Sequence, residues 1–140
     1  MYLSHLVQSL EQRQPFALQL FKEYRGQEWK SLIQYHNDII RPKSVVLFKS
    51  DKKKLLLTGW NLMQYQGFVG KNAEIHTLIL EGNLYLRMHR PDTPLEKKML
   101  GPHQSISSFP FTESTLLCTR KCASLHLIEV YEDFHGDSIS

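Results

Sequence analysis

Two cysteines in 140 residues are too few for the disulfide framework that holds small secreted domains together. No apolar stretch approaches the ~20 residues a membrane-spanning helix needs. The opening MYLSHLVQSLEQRQ lacks a basic segment followed by a continuous apolar one, so it does not read as a secretory leader, and the expected location is the cytoplasm. Neither sign of charge dominates: 17 Lys and Arg stand against 14 Asp and Glu, a net +3. The densest basic cluster, Asp51-Lys52-Lys53-Lys54, is short enough to be a solvated turn, and no basic stripe interleaved with aromatics follows it. Nucleic acid and membrane therefore drop out of the expected partners. A G-x-S-x-G elbow, a phosphate-binding P-loop, a dinucleotide glycine motif and the kinase signatures are all missing. Cys118, Cys122 and His126 fall at four-residue steps but lack the second, distant pair of a structural zinc site. No internal repeat, heptad array or low-complexity tract occurs.

What remains is a single domain over 1–140, large enough to bury a core. Its first 40 residues read as helical. Ser4 caps a helix over 4–13 with Leu6, Val7 and Leu10 on one face. Pro15 opens a second, striped by Phe16, Ala17, Leu20, Phe21 and Tyr24 and stopped at Gly26. Trp29, Leu32, Ile33, His36 and Ile40 predict a third over 27–39, with His36 packed at its edge. Arg41-Pro42 ends the helices. Residues 43–131 read as strands. KSVVLFK (43–49) and KLLLTGW (54–60) flank a charged turn and form a hairpin, and 61–69 continues as a strand. Loop residues His89 to Pro94 precede Lys97–Leu100 and Gly101-Pro102-His103. Thr115–Thr119 and Ala123–Tyr131 form a last hairpin, with Cys118 and Cys122 facing each other across Thr119-Arg120-Lys121 as two buried free thiols, or alternatively as a redox pair close enough to bridge. Residues 132–140 are a polar, acidic tail.

The stretch 72–86, NAEIHTLILEGNLYL, carries the most information. Ile75, Thr77 and Ile79 alternate with His76, Leu78 and Leu80, and Leu84 and Leu86 alternate with Asn83 and Tyr85. That period of two predicts strand, turn at Glu81-Gly82-Asn83, strand. Glu74 to Gly82 resembles the E-x-x-x-V-L-E-G segment of the first motif of the cupin superfamily. LLTGWNLM (56–63) looks like the strand before that motif. Ala123-Ser124-Leu125-His126-Leu127 is similar to the S-L-H-L-Y run of the cysteine dioxygenase branch. Glu28-Trp29-Lys30 and Tyr35 look like that branch's N-terminal part. The resemblance spans roughly Trp29 to Tyr131. It implies a mainly β fold: one jelly-roll antiparallel β-barrel of cupin type with about three N-terminal α-helices.

The resemblance also sets expectations for the site, and the chain departs from several. The H-x-H metal motif falls on Phe68 and Gly70, which bind no metal. The second motif occupies 101–115 and keeps Pro110, but Phe111 stands near the place of its histidine and His103 lies too early. Ser124 and His126 match the serine and histidine of the dioxygenase relay, while Ile128 replaces its tyrosine. The family's thiol falls on Ile75 or His76. Arg41 or Lys43 matches the arginine that clamps a carboxylate substrate. Tyr65, Phe68 and Tyr85 would line or rim a small-ligand pocket. Glu74 and His76 share one strand face, so with His103 or His126 they are the candidate ligands of a displaced iron triad. Otherwise the two are exposed, or bond to each other in a metal-free cavity.

Two functions follow. The first is a catalytically degenerate cupin that binds a small ligand or a partner protein and needs no cofactor. The alternative is an Fe(II)-dependent, cysteine dioxygenase-like oxidoreductase with rearranged ligands. A third reading is an oligomeric assembly factor, because cupin sheets pair edge to edge, with a homodimer among its forms.

Overall fold

Leu3, Leu6 and Leu10, three and four residues apart, make one buried stripe on α1 (Tyr2–Glu11), and Ala17 and Phe21 make another on α2 (Ala17–Glu23). A computed structural model of the chain describes residues 2–37, 40–70, 72–108 and 112–130, of which Val69 and Gly70 by their backbone alone. The acidic tail, Pro110 and Phe111 lie outside these residues. α1 begins before Ser4, which therefore sits inside the helix rather than capping it. The third expected α-helix does not form. Only Glu28–Ser31 winds, as a 3-10 turn, with the Trp29 indole N–H donating to the Gly26 carbonyl at 3.1 Å. Residues 33–37 form neither helix nor strand. Asn61 Nδ2 and Gln64 Nε2 both donate to the His36 carbonyl, at 2.7 and 2.6 Å. These long-range bonds override the helical spacing. None of the described helices is long and apolar enough to cross a membrane.

The strands are all antiparallel. β1 (Lys43–Lys49) and β2 (Lys53–Trp60) form the expected hairpin. β3 (Tyr65–Gly70), β4 (Ala73–His89), β5 (Glu96–Leu100), β6 (Ser105–Ser108) and β7 (Thr112–Val130) follow. β4 and β7 correct two expectations at once. Each was expected to be a hairpin, and each is one long strand. They pair with each other from Ala73↔Val130 to His89↔Glu113, with register shifts between Ile79 and Leu84. At the shift Gly82 takes φ 81. A Cβ there would run into the carbonyls of Lys121 and Arg120. Glu81-Gly82-Asn83 is thus a β-bulge that kinks the strand and re-aims its side chains. Ile75, Thr77 and Ile79 point inward before it; Leu84, Leu86 and Met88 point inward after it. The same kink removes the hairpin loop expected at Thr119-Arg120-Lys121.

The kink divides one seven-stranded sheet into two wings. The first holds β1, β2, the second half of β7, the first half of β4 and β6; the second holds β3, the first half of β7, the second half of β4 and β5. The wings fold over a shared core in which Trp60, Ile79 and Cys122 meet Leu84, Leu100 and Leu116. The sheet does not close, so the expected barrel is open. β3 and β6 are short and each pairs on one side only, which leaves their other edges free among the described residues. The helices pack on the outer face of the first wing, where Leu6, Leu10, Phe21 and Trp29 meet Leu55, Leu78 and Leu125. Each leucine so buried contributes about 1.5–3 kcal/mol. Cys122 to Leu127 is therefore buried on both faces.

Candidate functional site

On the inner face of the first wing, a polar chain crosses three strands. Trp60 Nε1–H donates to Ser124 Oγ at 2.8 Å. Ser124 Oγ lies 2.7 Å from His126 Nε2, and His126 Nδ1 lies 3.0 Å from Thr77 Oγ1. An indole only donates. A consistent order of donors therefore runs from Trp60 through Ser124 to His126, whose Nδ1–H then faces Thr77. Register places the group: Ser124 and His126 are two residues apart on β7, opposite Thr58 and Leu56 on one side and Ile79 and Thr77 on the other. All four side chains are buried. Burial alone pushes the His126 pKa down to about 3, so the ring is neutral. Phe68 and Trp60 flank it, with ring centroids at 5.6 and 6.2 Å.

Little space remains beside this chain. The enclosed cavity lined by Phe68, Thr77, Leu86, Ser108 and Ser114 measures about 10 Å³, at the margin for a single water. The iron that the dioxygenase resemblance implies does not fit here. The donors facing inward are hydroxyls and one imidazole with both nitrogens already bonded. Iron and zinc take free imidazole, thiolate or carboxylate. Cys118 and Cys122 also point into the core as free thiols. Burial raises the pKa of both, which keeps them protonated.

Glu74 and His76 stand on the other face of β4. One strand step separates His76 from Thr77, so His76 points away from His126. His76 Nε2 lies 3.4 Å from Glu74 Oε2 and 3.6 Å from Glu129 Oε1, and Nδ1 is 2.7 Å from Ser107 Oγ. Burial lowers its pKa, while Glu129 and Glu74 pull it back up. Glu129 was invisible in the sequence because only the β4–β7 register brings it opposite Glu74. His103 sits in an exposed turn at φ 66, its N–H donating to the Ile79 carbonyl at 2.7 Å. Among the described residues no three His, Cys, Asp or Glu form a group that could hold a metal ion. The expected convergence of Glu74, His76 and His103 is therefore not present in the fold.

The expected ligand-binding residues are dispersed. Arg41 is exposed before β1, and Lys43 is half-buried at the start of that edge strand, opposite Gly59. Of the three aromatics only Phe68 faces inward. Tyr65 and Tyr85 have the opposite parity and point out of the second wing. A larger space, unforeseen in the sequence, lies outside the sheet: an apolar groove of about 410 Å³ between α1, the 3-10 turn and β1. Leu3, Val7, Leu32 and Leu47 line it, with Glu11 and Glu28 among its polar residues. Val7 lies on the stripe expected for the first helix, whereas Leu3 precedes the expected start of that helix.

This architecture is that of the cupin, or double-stranded β-helix, fold. The chain is similar to the cupin domain of Schizosaccharomyces pombe Cnp3, at 10% identity over 70% of each chain and a TM-score of 0.57. It is similar to a cupin superfamily protein from Desulfitobacterium hafniense, at 16% identity over 79% of this chain and 94% of that one, TM-score 0.59. A Klebsiella pneumoniae protein with a double-stranded β-helix domain superposes at TM-score 0.61, with 10% identity over 79% and 93% of the two chains. Likeness at these identities is one of fold. No family model matches the sequence, and no curated protein does.

Proposed function

We propose that this chain is a catalytically degenerate cupin-fold protein that serves as a binding module for a small ligand or a partner protein. One observation carries the reading: His126, the imidazole on the inner face, has both ring nitrogens committed within a filled core. Binding then falls to the outside of the sheet. The α1–β1 groove supports the small-ligand form, since about 410 Å³ is within the usual range of ligand pockets. Two free, buried thiols support a reducing compartment such as the cytoplasm. The deciding measurement is metal content by plasma mass spectrometry, before and after anaerobic loading with ferrous iron. No retained metal and no iron-dependent shift in Tm are expected; close to one metal per chain overturns the reading.

A second reading is an Fe(II)-dependent oxidoreductase resembling cysteine dioxygenase, with ligands moved to new positions. Its starting point is His76, whose Nε2 lies 3.4 Å from Glu74 Oε2 and 3.6 Å from Glu129 Oε1, a cluster that would have to rearrange to hold iron. It requires stoichiometric iron that is lost in His76→Ala, together with oxygen uptake on cysteine or a related thiol.

A further inference from the structure

The groove between α1, the 3-10 turn and β1 has apolar walls and charge of one sign. Leu3, Val7, Leu32 and Leu47 form the walls, and no described residue covers them. Leu32 is 43% exposed, and Val7 and Leu47 are half-buried. Apolar surface left against water favours an apolar occupant. The charged residues of the groove are Glu11 and Glu28; among the described residues no Lys, Arg or His lines it.

The two carboxylates are held differently, and both favour a cation. Glu28 stands in the 3-10 turn, where its Oε2 accepts the Tyr24 hydroxyl at 2.8 Å. That bond fixes an anion in the groove. Glu11 is the last residue of α1, whose final turn carries no basic side chain. The carbonyls at a helix C-terminus concentrate partial negative charge, so a carboxylate there is unfavourable and a cation favourable. Glu11 has no hydrogen bond or ion pair among the described residues. Spacing sets the direction. Leu3, Val7 and Glu11 fall at four-residue steps along one side of α1 and span ~12 Å from first to last. The apolar walls therefore lead to a negative end. A fatty acid would set its own carboxylate against Glu11, and a nucleic acid strand would find no cation to neutralise its phosphates.

We propose that this groove binds an amphiphilic amine. Its alkyl or aryl body lies over Leu3, Val7 and Leu47, and its ammonium is drawn to Glu11, with Glu28 adding to the negative potential. This ligand class deepens the small-ligand form of the binding-module reading and depends on it.

Titration of the full chain with octylammonium, octanol and octanoate, followed by the NMR shifts of its backbone amides at low salt and below micelle-forming concentrations, tests this. Octylammonium is expected to move the amides of α1, the 3-10 turn and β1. It is expected to bind on the order of tenfold more tightly than octanoate, two exposed charge contacts changing sign between them, with octanol in the middle. Added salt narrows the gap. E11Q/E28Q is expected to bring the three within about threefold of one another; an amide at the second position still accepts the Tyr24 hydroxyl. E11K/E28Q is expected to reverse the order, and a gain of octanoate binding cannot come from misfolding. Octanol or octanoate binding as tightly as octylammonium to the wild type overturns the amine preference and leaves the groove a ligand site. Binding of none of the three, or amide shifts elsewhere in the chain, overturns the proposal altogether. So do concentration-dependent shifts of the groove amides in the free protein, which would put a second copy there. Retained iron is a separate result, and it removes the binding-module reading itself.

Discussion

Gly82 is the residue on which the two wings turn. Its φ of 81 lies where L side chains are strained, and the carbonyls of Lys121 and Arg120 fill the position of a Cβ. Gly82→Ala is expected to cost at least ~2 kcal/mol from backbone strain and the collision together. Gly67 on β3 is the matching control. A Cβ there would meet only the Ser114 carbonyl, at 3.8 Å, so Gly67→Ala is expected to stay within ~0.5 kcal/mol of the wild type. Urea midpoints of the two variants measure the difference, and equal midpoints would remove the special role given to Gly82. The same scale of reasoning applies to His126. Its two hydrogen bonds hold Ser124 and Thr77 at fixed positions inside the sheet, and a ring held in this way serves structure rather than ligation.

α2 is only seven residues long, too short to hold as a helix by itself. It persists because Phe21, fully buried, packs with Ala17 against the first wing. Phe21→Ala is expected to cost about 3–5 kcal/mol. Hydrogen exchange should show the amides of α1 and α2 losing protection before those of β4 and β7; loss in the reverse order would mean that the helices do not depend on this contact. The helix stripes and the β1–β2 hairpin were legible in the sequence because neighbours in the chain decide them. The continuous β4 was not. A hairpin and a bulged strand both show alternation, a glycine and a change of parity, and the partner that separates them is β7, far along the chain. For the site, spacing put Glu74 with His76 on a shared face, while Ser124 and His126 were paired only by the resemblance to the dioxygenase relay; each pair does share a face. Which face points inward is a matter of register, and it came out outward for the first pair and inward for the second. The irregular path of residues 33–37 likewise depends on Asn61 and Gln64, which no local pattern announces.

Over the whole molecule, two buried histidines couple stability to pH. His126 sits on the inner face of the first wing and His76 on the outer, and in both the largest effect is burial, which lowers the pKa. In the unfolded chain both titrate near ~6.5. Below that pH the unfolded state binds protons that the folded state refuses, so stability rises with pH and is lost on acidification. For His126 the window runs from ~6.5 down to its folded pKa of about 3. His76 loses less, because Glu129 and Glu74 partly retain its proton. The expected slope approaches ~1.4 kcal/mol per pH unit for each fully suppressed proton. Between pH 7 and pH 5 most carboxylates stay ionised, so the histidines dominate the change. Urea unfolding at those two pH values is expected to show a clear loss for the wild type. His126→Asn should be less stable at pH 7, through the lost hydrogen bonds, yet flatter between the two. Parallel pH profiles for wild type and variant would mean that the folded protein protonates His126 freely. The ring would then have access to solvent, and the filled interior on which the binding-module reading rests would have to be abandoned.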